Sequence, residues 1–136
     1  MYDNANDPKE HVVEITDADK PLCGFQTGKE NNQIWITVCR DARLHSPSLS
    51  KSLVEGILST GANVVDLGLA PTPIGYYSEV VGVPPAVTKY APVSGAMIIT
   101  ASHNPKEYNG FKFSYNGVHN AYGKSVKEIY EIIKGL

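Results

Sequence analysis

The apolar positions follow two rhythms. Residues 34–39, Ile-Trp-Ile-Thr-Val-Cys, are a continuous β-branched and aromatic run. A run of that length predicts a buried strand. Leu49, Leu53 and Ile57 then recur every four residues, with Val54 and Leu58 beside them. That spacing gives a helix one apolar face. Ser46-Pro47 ahead of it reads as an N-cap followed by a first-turn proline, and Gly61 reads as the glycine just past its end. A second strand is expected over 63–68. Thr72-Pro73 repeats the cap-plus-proline signal and starts a helix to about Val81, closed by Gly82. Pro84, Pro85 and Pro92 mark a loop. Residues 96–100 predict a third strand, apolar enough to be covered on both faces. Residues 110–115 alternate and predict a fourth. Val126, Ile129, Tyr130 and Ile133 outline a last helix, ended by Lys134 and Gly135.

Residues 1–33 lack either rhythm. Pro8, Pro21, Gly24 and Gly28 interrupt them, and only Val12, Val13 and Ile15 suggest a short strand. The element order is strand, helix, strand, helix, strand, strand, helix. It predicts an α/β fold, a three-layer α/β/α sandwich on a mixed, mainly parallel sheet of about four strands. We divide the chain into an irregular segment, 1–32, and one domain, 33–136. In such sheets ligands gather beyond the carboxyl ends of the strands. The loops after Cys39 and Thr100 lie at that end.

Composition narrows the classes. A chain of 136 residues suits a single domain, and 42% hydrophobic with 19% charged residues is globular rather than disordered. Lys and Arg number 12 against 14 Asp and Glu, so no nucleic-acid partner is expected. No apolar run approaches the roughly 20 residues of a membrane helix. Residues 1–10 are polar and lack the features of a signal peptide. A cytoplasmic protein with no membrane partner is the expectation. Cys23 and Cys39 make neither a disulfide framework nor a metal motif.

The third strand runs into Thr100-Ala101-Ser102-His103-Asn104-Pro105, followed by Lys106-Glu107-Tyr108-Asn109-Gly110. Such a loop can present the Ser102 hydroxyl at the mouth of a cleft. His103 can move a proton or hydrogen-bond an anion, and Lys112 on the next strand can offer charge to a phosphate. The same residues are also an ordinary turn composition, since Ser and Asn bond their own backbone and Pro fixes φ. A hydrolytic triad is rejected. Adjacent Ser and His side chains on a strand-like backbone point apart, and no Gly-x-Ser-x-Gly elbow is present.

Thr100-Ala101-Ser102-His103-Asn104-Pro105 with Tyr108-Asn109-Gly110-Phe111-Lys112 resembles the active-site loop of the α-D-phosphohexomutases, the phosphoglucomutase and phosphomannomutase enzymes. Residues 40–46, Arg-Asp-Ala-Arg-Leu-His-Ser, resemble the segment after that family's first strand. Asp66-Leu67-Gly68 with Pro71-Thr72-Pro73 resembles the lead into its second helix. The likeness spans about residues 33–136. Cys39 stands where the family usually has glycine, and the family's amino-terminal Tyr-Asp-x-Arg-Gly segment has no counterpart after Tyr2-Asp3.

The resemblance implies a phosphoserine at Ser102 that gives its phosphoryl group to a hexose phosphate. A bisphosphate intermediate then reorients and returns the other phosphate. His103 and Lys112 would assist as catalytic groups. Arg40 and Arg43 would contact phosphate or support the loop. An ion pair with Asp41, or a solvated loop face, is an equal alternative for both. Asn104 and Asn109 would hold loop shape, and Asp41 would be structural. The resemblance also implies Mg²⁺, bound by the phosphate on Ser102 and by an aspartate-rich loop in a second domain. No Asp-x-Asp-x-Asp-Arg run occurs in this sequence. The chain is therefore expected to supply the phosphoserine domain alone, with little or no turnover by itself. Its partners would be a hexose phosphate and the remaining mutase domains, or a second copy on the surface those domains would cover. The alternative function is a non-enzymatic module that binds a phosphorylated ligand or a partner chain.

Overall fold

The structure is a computed structural model that describes residues 24–26, 34–82, 93–115, 117 and 119–136. Its elements are β1 (Gly24–Gln26), β2 (Trp35–Arg40), α1 (Ser46–Ser59), β3 (Asn63–Leu69), α2 (Thr72–Val81), β4 (Val93–Ile99), β5 (Phe111–Tyr115), β6 (His119–Asn120) and α3 (Lys124–Lys134). The four expected strands are present as β2, β3, β4 and β5. The sheet is larger than the expected four, with six strands in the order β1-β3-β2-β4-β5-β6. The added β1 and β6 are three and two residues long, too short to leave a period in the sequence. The short strand suggested at Val12–Ile15, most of the segment 1–32 and the proline-rich loop lie outside the described residues.

β2 runs parallel to both β3 and β4, and these three form the centre of the sheet. β1, β5 and β6 pair antiparallel at the two sides. Successive side chains of β2 separate two cores. Val38 packs with Val54 and Ile57 of α1, with Val64 and with Ile99. Cys39, on the opposite face, packs with Ala96, Ile98 and Tyr76 of α2. α1 and α2 therefore cover opposite faces. α2 approaches closely because Gly75 has no side chain. A Cβ there would stand 2.7 Å from Ile98 Cγ1 and 3.3 Å from Cys39 Sγ. The Thr37 and Ser78 hydroxyls share a buried 2.8 Å hydrogen bond across the same contact.

Two expected caps are placed differently. Ser46 and Thr72 are the first helical residues, and His45 and Pro71 are the caps, neither with a side-chain cap bond. The first-turn prolines hold as expected. No side chain of α3 is buried. Among the described residues no helix is long and apolar enough to cross a membrane.

Chain direction places the site. From β2 the chain goes to β3 on one side, then crosses back past β2 to β4 on the other. Crevices open at such reversals, beyond the carboxyl ends of the strands. The loop 100–110 begins there. A bulge at the end of β3 completes the wall. Val38 pairs with Asp66 but Cys39 with Gly68, so one residue is extra. Gly68 has φ +66°, which a side chain would resist, and its N–H donates to Asp66 Oδ1 at 2.8 Å. The bulge turns the chain into residues 70–73.

Candidate active-site cleft

The cleft has a volume of about 390 Å³. Ser102, His103 and Lys112 line it, together with Asp41, Thr100, Ile98 and residues 70–73. The three residues singled out for chemistry are thus brought together. Lys112 reaches the cleft because it pairs with Ile98, and that register sets it on the α2 face of the sheet.

Ser102 is the one non-glycine residue with positive φ among the described residues, at +55°. This left-handed conformation costs an L-residue about 1–3 kcal/mol and persists only where the surroundings impose it. It also revises the expectation of a strand-like backbone at this point. With the chain turned at Ser102, the serine and histidine side chains both line the same cleft.

What imposes the turn is a polar network on the loop's outer side. Its centre is Arg43. Nη1 donates to the carbonyls of Pro105 and Tyr108, at 2.6 and 3.0 Å. Nη2 donates to those of Ser102 and Asn104, at 3.2 and 2.9 Å. Nε donates to Asp41 Oδ2 at 2.8 Å. A guanidinium has five N–H groups, so every donor of Arg43 is used. Of the readings open at Arg43, the ion pair with Asp41 is present, and its remaining donors all meet loop carbonyls.

Asp41 anchors the network. It accepts from the Ser46 hydroxyl at 2.6 Å and from the Arg43 N–H at 3.1 Å. Burial pushes its carboxyl up, but hydrogen bonds from Ser46, Arg43 and Thr100 outweigh that and hold it below the usual carboxylate range. Asn109 closes the circuit, donating to Ser46 Oγ at 2.8 Å while its own carbonyl accepts from the Gly110 N–H. Asn104 donates to the Ala101 carbonyl at 2.9 Å. Both asparagines thus hold loop shape. The Thr100 hydroxyl accepts from the Ser102 N–H at 2.9 Å.

Arg40 is not among the residues lining the cleft. Its charge acts on Asp66, whose carboxyl stays raised by burial despite the Gly68 N–H and Arg40. Cys39 is buried, and its thiol is pushed up to about 11, by burial first and then by Asp66. It is packing, not a nucleophile. Sequence reasoning missed Ser46 and Thr72. Both read as helix caps, and nothing local showed that Ser46 would bind Asp41 or that Thr72 would line the same cleft as Ser102.

Among the described residues no three of His, Cys, Asp and Glu stand close enough to hold a metal ion. Asp41, the carboxylate on the cleft wall, is already spent on Arg43, Ser46 and Thr100. The resemblance puts the carboxylate ligands of Mg²⁺ in a second domain and leaves a phosphate on Ser102 as this chain's ligand, and Ser102 does line the cleft.

Comparison with known proteins agrees with the geometry. The family profile described as "Phosphoglucomutase/phosphomannomutase, alpha/beta/alpha domain I" matches residues 22–136. A phosphomannomutase/phosphoglucomutase of Pseudomonas syringae pv. tomato is 39% identical over 103 residues, 76% of this chain and 20% of the relative. One from Pseudomonas putida is 44% identical over 82 residues, covering 60% and 16%. A probable phosphoglucosamine mutase of Thermococcus gammatolerans is 44% identical over 77 residues, covering 57% and 15%. A crystal structure of a phosphoglucomutase/phosphomannomutase family protein from Burkholderia thailandensis superposes with a TM-score of 0.68 at 37% identity. It covers 75% of this chain and 22% of that one. The chain spans between 15% and 20% of the length of these curated relatives.

Proposed function

Since the chain belongs to the phosphoglucomutase/phosphomannomutase family and covers its α/β/α domain I, we propose that it is the phosphoryl-carrying domain of a hexose-phosphate mutase. The observation that carries this reading is the convergence of Ser102, at its left-handed turn, with His103 and Lys112 on the lining of one cleft. In the loading step the Ser102 Oγ attacks a phosphorus of a hexose 1,6-bisphosphate. The Oγ–P bond forms and the P–O bond to the sugar breaks. The hydroxyl proton passes to His103 and from there to the departing sugar oxygen. Lys112, which lines the same cleft, balances charge on the phosphoryl oxygens. In the reverse direction the phosphoserine gives its group to a hexose monophosphate. In this reading Mg²⁺ would be held by the phosphate on Ser102 together with carboxylates other than the described ones, and would neutralise charge on the phosphoryl group.

The test is direct. The chain is incubated with glucose 1,6-bisphosphate and Mg²⁺, and its intact mass is followed. A single phosphate adduct that maps to Ser102 and is lost in Ser102→Ala is the expected result. An adduct at another residue, unaffected by Ser102→Ala, would count against the mutase reading and favour a binding module.

A further inference from the structure

We infer that Arg43 is a positioning residue for Ser102, and that it acts through shape rather than charge. The inference rests on the mutase reading for its catalytic consequence, and on geometry alone for the clamp. Arg43 joins four loop carbonyls, those of Ser102, Asn104, Pro105 and Tyr108, to Asp41 in the loop after β2. One of the four belongs to Ser102 itself, the residue held at φ +55°. The clamp therefore grips the strained peptide directly. It is backed on the other side, because Asp41 is bound by Ser46 and Ser46 by Asn109, the last loop residue before Gly110. Both ends of the loop and its middle are tied to one carboxylate.

The donor count makes the distinction testable. An ammonium carries three N–H groups on one atom, whereas the guanidinium spreads five over a rigid plane. Lysine at this position keeps the positive charge but cannot reach four carbonyls and Asp41 at once. If charge beside the phosphoryl group is what matters, lysine suffices. If the loop must be held in shape, lysine fails as badly as a neutral residue.

Arg43→Lys and Arg43→Met are compared with the unaltered 136-residue chain in two measurements. Hydrogen exchange reads the clamp without any substrate. The loop amides of Asn104 and Tyr108 are expected to lose protection in both variants, while amides of β2 and β4 keep theirs. The rate of Ser102 phosphorylation by glucose 1,6-bisphosphate reads the consequence. It is expected to fall about 100-fold in both variants, the scale of a misplaced reacting group. Loop amides that stay protected in both variants overturn the clamp. A wild-type phosphorylation rate in Arg43→Lys overturns the claim that shape is what counts. Where the unaltered chain accepts no phosphoryl group, loop exchange alone decides the clamp. Lost protection throughout the sheet would mean that Arg43 serves general stability, and it also overturns the inference.

Discussion

Asp41 balances opposing pressures. Burial favours its protonated form, and four hydrogen bonds favour the carboxylate and win. Its folded titration therefore lies below the unfolded value of 3.8. A depressed carboxyl stabilises the fold above its unfolded value and loses that contribution as pH falls through the folded one. The loop 100–110 should accordingly loosen in acid, below about pH 4, while the neutral range shows no change. The side-chain amide signals of Asn109 in NMR titration check this, because Asn109 reports on Asp41 through Ser46. Asp41→Asn should show the loosened loop at every pH and no acid transition. Much of this residue-level chemistry was legible as a motif and not as a mechanism. The sequence displays Asp41, Arg43 and Ser46 within one short loop. It does not show that the arginine's donors are all spent on carbonyls about sixty residues away.

At the scale of elements, the site depends on how α2 lies on the sheet. The first residues of α2 line the cleft together with Ser102, and Gly75 lets the helix lie close to the sheet. Gly75→Ala would put a methyl 2.7 Å from Cγ1 of the buried Ile98, so that side chain or α2 would have to shift. The expected cost is about 1–3 kcal/mol, the usual scale for overpacking a tight core. A denaturant midpoint that falls with an unchanged slope would show it. Strands β2 to β5 and the three described helices were legible because each repeats its period over enough residues. β1 and β6 were not, because their pairing is decided by neighbours. The caps misled for a related reason. Ser46 has the chemistry of an N-cap, but Asp41 offers its hydroxyl a stronger acceptor from the other side.

At the scale of the whole molecule, length separates the domain from the reaction. The chain covers no more than about a fifth of the curated relatives it matches. The described residues hold a candidate nucleophile, a proton carrier and a cation. They hold no metal-ligand cluster. Phosphoryl transfer relies on positioning and charge stabilisation, so missing groups cost rate steeply. The 136-residue chain by itself should give no measurable conversion of glucose 1-phosphate to the 6-phosphate with Mg²⁺ in a coupled assay. Robust conversion abolished by Ser102→Ala would overturn that expectation and show that one domain suffices.

The sequence by itself determined the α/β class, the four longer strands, and a loop whose residues match one family across two blocks. These rest on local properties, namely period, turn chemistry and an unbroken string of side chains. The tertiary structure alone decided that Ser102 takes a left-handed turn, that all five donors of Arg43 meet Asp41 and four loop carbonyls, and that Arg40 is not among the residues lining the cleft. Each of those depends on contacts between strands and loops far apart in the chain. No local pattern records where a carbonyl sixty residues away will point.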